Sequence, residues 1–166
     1  MPPRSKKKSQ RDRLLGRTRP TVTHHLRVDD DTAARAAVEA AQEALGVAQM
    51  RMDDRAAETV TEAEAALEKA RADLAACYEP VVIRALEPKR FEELVAEHPA
   101  RKDRDERWNV ETFPRALFLA SVVGELSREE WETVLDEQCS EGEQNGLFLD
   151  AQVVNARMPD GTIPKG

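Results

Sequence analysis

Residues 91–131 read FEELVAEHPARKDRDERWNVETFPRALFLASVVGELSREEW and hold five of the chain's seven aromatic residues. These five are Phe91, Trp108, Phe113, Phe118 and Trp131. Aromatic side chains bury the largest apolar areas of any residue type, and only two aromatic residues lie outside this segment. Their concentration in one segment therefore predicts that the folded core of the chain forms around it.

Helix-start signals divide this region into short helices. Pro88 suits the first turn of one helix, because its missing N–H is not needed there. Ser127 and Glu130 have the spacing of a capping box at the start of another. No segment of the chain shows a convincing alternation of apolar and polar residues. The sequence therefore predicts an all-α fold, with a compact helical bundle domain over residues 80–156.

Two heptad seams precede the bundle. Small and branched apolar residues recur along both at steps of three and four, as in helices that pack side by side. The larger residues of the seams are Val38, Leu45, Val60, Leu67 and Leu74. This pattern predicts an antiparallel, coiled-coil-like helical hairpin over residues 31–79. One long helix that dimerises is the alternative, because neither Gly nor Pro marks a turn between the seams.

The net charge of −7 is unevenly distributed. In residues 1–20, eight basic side chains against one acid give +7, which leaves −14 for the rest of the chain. The basic residues are Arg4, Lys6, Lys7, Lys8, Arg11, Arg13, Arg17 and Arg19. Polar composition predicts that residues 1–30 form a disordered basic tail, which is a candidate anion-binding arm. Residues 157–166 hold two prolines and two glycines and are predicted to form an irregular C-terminal tail.

The sequence contains no recognisable catalytic, metal or cofactor site. Its histidines and cysteines, which lack the spacing of zinc ligands, are His24, His25, His98, Cys77 and Cys139. It has no glycine-rich phosphate loop. We therefore predict a protein that is not an enzyme and needs no cofactor. The lack of a long apolar run and of a signal peptide predicts a cytoplasmic protein without a membrane span.

The second half of the chain presents a distinctive order of motifs. IRALEPKRFEELVAEHP (residues 83–99) is followed by a charged spacer and by WNVETFPRALFLASV (residues 108–122). LSREEWETVLDEQ (residues 126–138) and a helix that ends at VVNA (residues 153–156) come next. This order resembles the tail assembly chaperones of siphophages and prophages of actinobacteria.

The resemblance implies a non-structural assembly factor in the cytoplasm of the bacterial host. Such chaperones bind the tape-measure protein and keep it soluble while tail-tube subunits polymerise around it. They are absent from the mature virion, and a longer, frameshifted form of the same chain is often a further partner. The candidate partner-binding residues are then Val38, Leu45, Val60, Leu67, Leu74, Phe91, Trp108, Phe113 and Trp131. The same side chains also suit core packing, and the heptad seams are compatible with a homo-oligomer.

Two alternatives belong to other functional classes. A structural head–tail component or minor tail component would stay in purified particles, from which a chaperone would be missing. A nucleic-acid-binding protein acting through the basic arm is the second alternative. It is less favoured, because the arm lacks aromatic residues for base stacking and the predicted helices of the body are mainly acidic.

Overall fold

The computed structural model describes residues 9–51 and 55–156. In chain order the elements are α1 (Gln10–Leu15), β1 (Thr21–Arg27), α2 (Thr32–Gln49), α3 (Ala56–Ala75), β2 (Tyr78–Arg84), α4 (Pro88–Glu97), α5 (Phe113–Ser121), β3 (Val122–Val123), α6 (Arg128–Thr133) and α7 (Glu141–Ala156). A π-helical turn, Val134–Gln138, continues α6. The described residues form two compact units: residues 25–51 with 55–81, called here the hairpin unit, and residues 9–24 with 82–156, called the two-segment unit.

The prediction of an all-α fold is wrong, because three strands form a small antiparallel sheet in the order β1–β2–β3. In the pairing of β2 with β3, Val82 lies opposite Val123 and Ile83 lies opposite Val122. Ile83 is fully buried, so the sheet contributes to the core and not only to the surface. The protein is therefore a mixed α/β structure in which helices predominate.

Each strand lacks the run of alternating apolar residues by which a strand is predicted from sequence. In β1, TVTHHLR, the less exposed positions are Val22, His24 and Leu26, so a histidine interrupts the apolar side. In β2, Pro80 lies before Val82, which pairs with Val123 of β3. The missing N–H of Pro80 therefore costs no hydrogen bond in the ladder with β3. β3 is only two residues long, which is too short for any periodicity.

The predicted disordered tail is also wrong for its described part, because α1 and β1 lie within residues 1–30. At the start of α1, Ser9 Oγ accepts a hydrogen bond from the Asp12 amide, and the Asp12 carboxylate accepts one from the Ser9 amide. Arg4, Lys6, Lys7 and Lys8 lie outside the described residues, as does the predicted C-terminal tail, residues 157–166.

In the hairpin unit, α2 and α3 pack against each other. Ala48, Leu67 and Ala70 are buried in this contact. The remaining larger seam residues, which are half-buried, are Val38, Leu45, Val60 and Leu74. Small side chains on the seam allow the two helices to approach closely. Residues 52–54, which connect them, lie outside the described part of the chain.

A polar cluster joins the start of α2 to the start of β2. Asp31 Oδ2 accepts hydrogen bonds from the Tyr78 hydroxyl and from Arg35 Nε, both at 2.5 Å. The Tyr78 hydroxyl and the Arg35 guanidinium hold the pKa of Asp31 below its usual value, because both stabilise the carboxylate. The hydrogen bond to Asp31 in turn raises the pKa of Tyr78.

The core of the two-segment unit forms around α5. The residues of α5 that are buried are Phe113, Leu117, Phe118 and Ser121. α5 packs against α7, whose buried residues Leu147, Ala151 and Val154 recur at helical spacing, and against α4. Trp131 of α6 meets the Phe118 ring edge-on, with ring centroids 5.3 Å apart. β1 is joined to α7 by His24 Nδ1, which lies 2.7 Å from Asp150 Oδ2.

Truncating Ile83 tests the sheet that sequence reasoning missed. We expect Ile83→Ala to lower the free energy of unfolding by about 2–5 kcal/mol, because it removes a fully buried branched side chain. Val123→Ala, at the exposed end of the same ladder, should cost no more than about 1 kcal/mol. Urea unfolding followed by circular dichroism measures both changes, and equal losses would contradict the observed burial.

Acid titration tests the polar cluster of the hairpin unit. Because the folded-state pKa of Asp31 is lowered, its stabilisation is present above the unfolded value of about 3.9 and is lost as the pH falls through the folded value. We expect Asp31→Asn to melt at a lower temperature than the wild type at neutral pH and to lose less stability in acid. Asp73→Asn, which removes a carboxylate from an exposed pair with Lys69, is the control. Identical acid profiles for wild type and Asp31→Asn would disprove this role.

Candidate partner-binding groove

A groove of about 560 Å³ opens on the two-segment unit, along α4, α5 and α7. Its lining is mainly apolar. The residues that line it are Leu86, Pro88, Phe91, Glu92, Arg107, Trp108, Leu117, Gln152, Val153, Asn155 and Ala156. The volume lies within the range of roughly 300–1,000 Å³ found for ligand pockets, and the shape is open and not enclosed.

Two aromatic rings on one side of the groove are held by a third ring beneath them. Trp108 stacks on Phe113 with a centroid distance of 4.4 Å, and Phe91 meets Phe113 edge-on at 5.8 Å. Phe91 and Trp108 also meet edge-on at 6.3 Å. Phe113 is 0% exposed, whereas Phe91 and Trp108 are half-buried. The two groove rings therefore rest on the core and keep part of their surface open to the groove.

Arg107 places a cation at the rim of the groove. Its guanidinium carbon lies 5.6 Å from the centroid of Phe91 and 5.3 Å from that of Trp108. Arg107 Nη2 lies 3.3 Å from Glu92 Oε1, and both side chains of this pair are largely exposed. Exposed ion pairs and exposed cation–π contacts are weak. A bound chain can therefore displace Arg107 at little cost in free energy.

On the other side of the groove, the half-buried amide side chain of Asn155 fixes α7. Asn155 Oδ1 accepts a hydrogen bond from the Leu86 amide at 2.8 Å. Asn155 Nδ2 donates to Ser121 Oγ at 3.1 Å and to the Ala151 carbonyl at 2.8 Å. These bonds join α7 to α5 and to the loop before α4. Val153, next to this anchor, is 48% exposed and supplies apolar surface that is open to solvent.

The structure brings together two of the candidate partner-binding residues, Phe91 and Trp108, in the groove. Phe113 and Trp131 are buried, so they support the fold and offer no surface to a partner. The five hairpin candidates, Val38, Leu45, Val60, Leu67 and Leu74, belong to the other unit. They are seam residues of α2 and α3, where Leu67 is buried and the other four are half-buried.

Several groove residues were not singled out by sequence reasoning. Arg107 belongs to the charged segment ARKDRDER, which sequence reasoning treats as a solvated loop. Val153 lies beside the buried positions Ala151 and Val154 on α7 and has no periodic signal of its own. A partial signal exists in the VVNA motif at residues 153–156, because three of its residues, Val153, Asn155 and Ala156, line the groove.

Outside the groove, the histidine and cysteine residues that could take part in catalysis or metal binding do not form a site. His98 Nδ1 lies 2.9 Å from Thr112 Oγ1. Burial raises the pKa of the Cys139 thiol, which disfavours the reactive thiolate. Within residues 9–51 and 55–156, no three His, Cys, Asp or Glu side chains are grouped as a metal site. In the same residues, no helix has the length and apolar character needed to cross a membrane.

The described arginines of the basic arm differ in their contacts. Arg19 Nη1 donates to the Ala85 carbonyl at 3.2 Å, so this residue is fixed to the body of the unit. Arg11, Arg13 and Arg17 are exposed. The candidate anion-binding arm is therefore partly a structural anchor and partly an open surface.

No protein-family model, no curated protein and no solved structure matches this chain. No relative therefore supplies a function for it. A function has to be inferred from the geometry of the groove and from the order of the motifs over residues 83–156.

Removal of the Asn155 side chain tests how the groove is held. We expect Asn155→Ala to lower the free energy of unfolding by about 1–3 kcal/mol, because the amide of Leu86 and the hydroxyl of Ser121 each lose a partner. Gln152→Ala, one turn earlier on the same helix, is the matched control and should change it by no more than about 0.5 kcal/mol. Chemical unfolding compares the two variants. A smaller loss in Asn155→Ala than in the control would show that these hydrogen bonds do not hold α7.

Proposed function

We propose that this protein is a tail assembly chaperone that binds an apolar segment of the tape-measure protein in the groove. Bound in this way, the tape-measure protein stays soluble until tail-tube subunits assemble around it. The observation that carries the proposal is the open apolar groove, in which Phe91 and Trp108 remain half-exposed above a fully buried Phe113. The order of the motifs from residue 83 to residue 156 supplies the identity of the client.

The groove has the features expected of a reversible peptide-binding site. Phe91, Trp108 and Val153 provide rigid apolar anchors, and anchors of this kind supply most of the binding energy at protein interfaces. A client helix with apolar residues at helical spacing can place one face in such a groove. The groove is short and open, so only a limited area is buried and the client can be released as the tube grows.

The charge of the chain suits the same role. Outside residues 1–20 the net charge is −14, which opposes aggregation of a complex that carries a long apolar client. Only the rim of the groove is charged, at Glu92 and Arg107, while its lining is mainly apolar. The acidic surface therefore keeps the complex soluble without placing a row of charges against the apolar client.

Co-expression with the expected client tests this proposal. The client is the long coiled-coil protein predicted to be encoded just downstream in the same genome. We expect the wild-type chain to keep this protein soluble and to co-purify with it. Val153→Glu should reduce the co-purified client at least about tenfold, equivalent to about 1.4 kcal/mol, because it places a charge in the apolar groove.

Val110→Glu is the matched control, because Val110 is 49% exposed, close to the 48% of Val153, and does not line the groove. Both variants should keep the circular-dichroism spectrum and melting temperature of the wild type. An equal loss of client in both variants would contradict the groove as the binding site. An insoluble client beside the wild-type chain, with this chain present in purified particles, would instead support a structural tail component.

A further inference from the structure

The helix α1 presents an apolar and basic surface that the rest of its unit does not cover. None of its residues is buried, and Leu14 and Leu15 are 66% and 75% exposed. Arg11 and Arg13 lie in the same helix, and Arg17 follows it. Isolated helices of this length are marginal in water, so the capping box between Ser9 and Asp12 is its main local support. The two exposed leucines make α1 a candidate interaction surface.

The chemistry of α1 indicates a protein partner. Arginine side chains alone would suit phosphate groups, but phosphate contacts make no use of two adjacent leucines. Residues 1–20 also contain no aromatic side chain on which a base could stack. The surface that complements α1 is therefore acidic and also carries apolar residues.

In the structure α1 is tethered to the body but is not docked on its own copy, because Leu14 and Leu15 remain 66% and 75% exposed. Arg19 Nη1 is bonded to the Ala85 carbonyl, and the Pro20 carbonyl accepts a hydrogen bond from the Ala85 amide. Four residues separate Leu15 from this anchor, so an extended tether spans about 14 Å. The surface around Arg19 carries Lys89 and Arg90 together with Glu87 and Glu93, and it has no net negative charge to attract the arginines.

We propose that α1 docks on the acidic surface of a second copy of this chain. The complementary surface is the segment of residues 125–143, which has eight acidic side chains and one basic residue, Arg128. Apolar contacts for the leucines are available beside it, because Val123 is 40% exposed and Leu126 is 44% exposed. The occupant is a second copy, because this chain carries both the basic, leucine-bearing helix α1 and the acidic surface that complements it.

Some acids of this segment are already paired and others are available. Asp136 is held by Arg115 through two hydrogen bonds, and Glu132 is held by Arg128. Among the described residues, the exposed acids of the segment without an ion pair or side-chain hydrogen bond are Glu125, Glu129, Glu137 and Glu141. If each copy contributes one arm and one acidic surface, the exchange is reciprocal and closes as a two-fold dimer.

Light scattering on the full chain at two salt concentrations tests this proposal. At about 50 mM salt, where charges act over roughly 10 Å or more, we expect a mass at least twice the 18.6 kDa of one chain. At about 1 M salt, where the Debye length falls to roughly 3 Å, the mass should fall towards that of one chain. The triple variant Arg11→Glu, Arg13→Glu, Arg17→Glu should be monomeric at both concentrations. A wild-type monomer at low salt would overturn the proposal.

A charge-reversal pair identifies the surface on which the arm docks. The body variant Glu125→Lys, Glu137→Lys, Glu141→Lys should be monomeric alone, because its surface now repels the arm. Mixed with the arm variant, it should associate again, since each copy then meets an opposite charge. Circular dichroism checks that both variants fold.

Two results would overturn the proposal even if the wild type associates. The first is an arm variant that associates as strongly as the wild type, which would assign self-association to another surface such as the hairpin seams. The second is a failure of the mixed variants to associate. A wild-type chain that stays monomeric at low salt but binds duplex DNA through the arm would overturn it in favour of nucleic acid. These outcomes are independent of the client experiment, because α1 does not line the groove.

Discussion

The packing of Phe113 fixes the geometry of the groove. This fully buried ring stacks on Trp108 at 4.4 Å and meets Phe91 edge-on at 5.8 Å, so one side chain positions both aromatic rings of the groove. Phe113 begins α5, which also buries Leu117 and Phe118, and α5 packs against α7. Because one helix holds α4 on one side and α7 on the other, the two sides of the groove are kept apart by the same core that stabilises the unit.

The same arrangement leaves aromatic surface open in a chain that has few aromatic residues. The chain has seven aromatic residues, yet Phe91 and Trp108 remain half-exposed at the groove while Arg107 lies over their rings. If these two positions were only part of the solvent-exposed surface, polar side chains would serve there equally well. Half-exposed aromatic rings on a rigid support are instead typical of sites where a partner is bound. This is the physical reason for our proposal that a client binds in the groove and not on the hairpin.

Helix starts could be predicted from the sequence because their signals are local. α4 begins at Pro88, and Ser127 and Glu130 form the capping box of α6, both as the residue spacing indicates. The strands could not be predicted, because His24 interrupts the apolar side of β1 and its place is set by Asp150 on a distant helix. The groove could not be predicted either, since Val153 has no periodic signal and comes to line the same groove as Phe91 only through the tertiary packing of α4, α5 and α7.

Hydrogen–deuterium exchange of the chain, free and in complex with the co-expressed tape-measure protein, tests the central claim most directly. Peptides that cover residues 86–92, 105–109 and 150–156 report on the groove, and peptides that cover residues 32–49 and 56–75 report on the hairpin. If the client occupies the groove, the groove peptides gain protection in the complex and the hairpin peptides exchange as in the free chain. Protection confined to α2 and α3, with unchanged exchange at the groove, would contradict it.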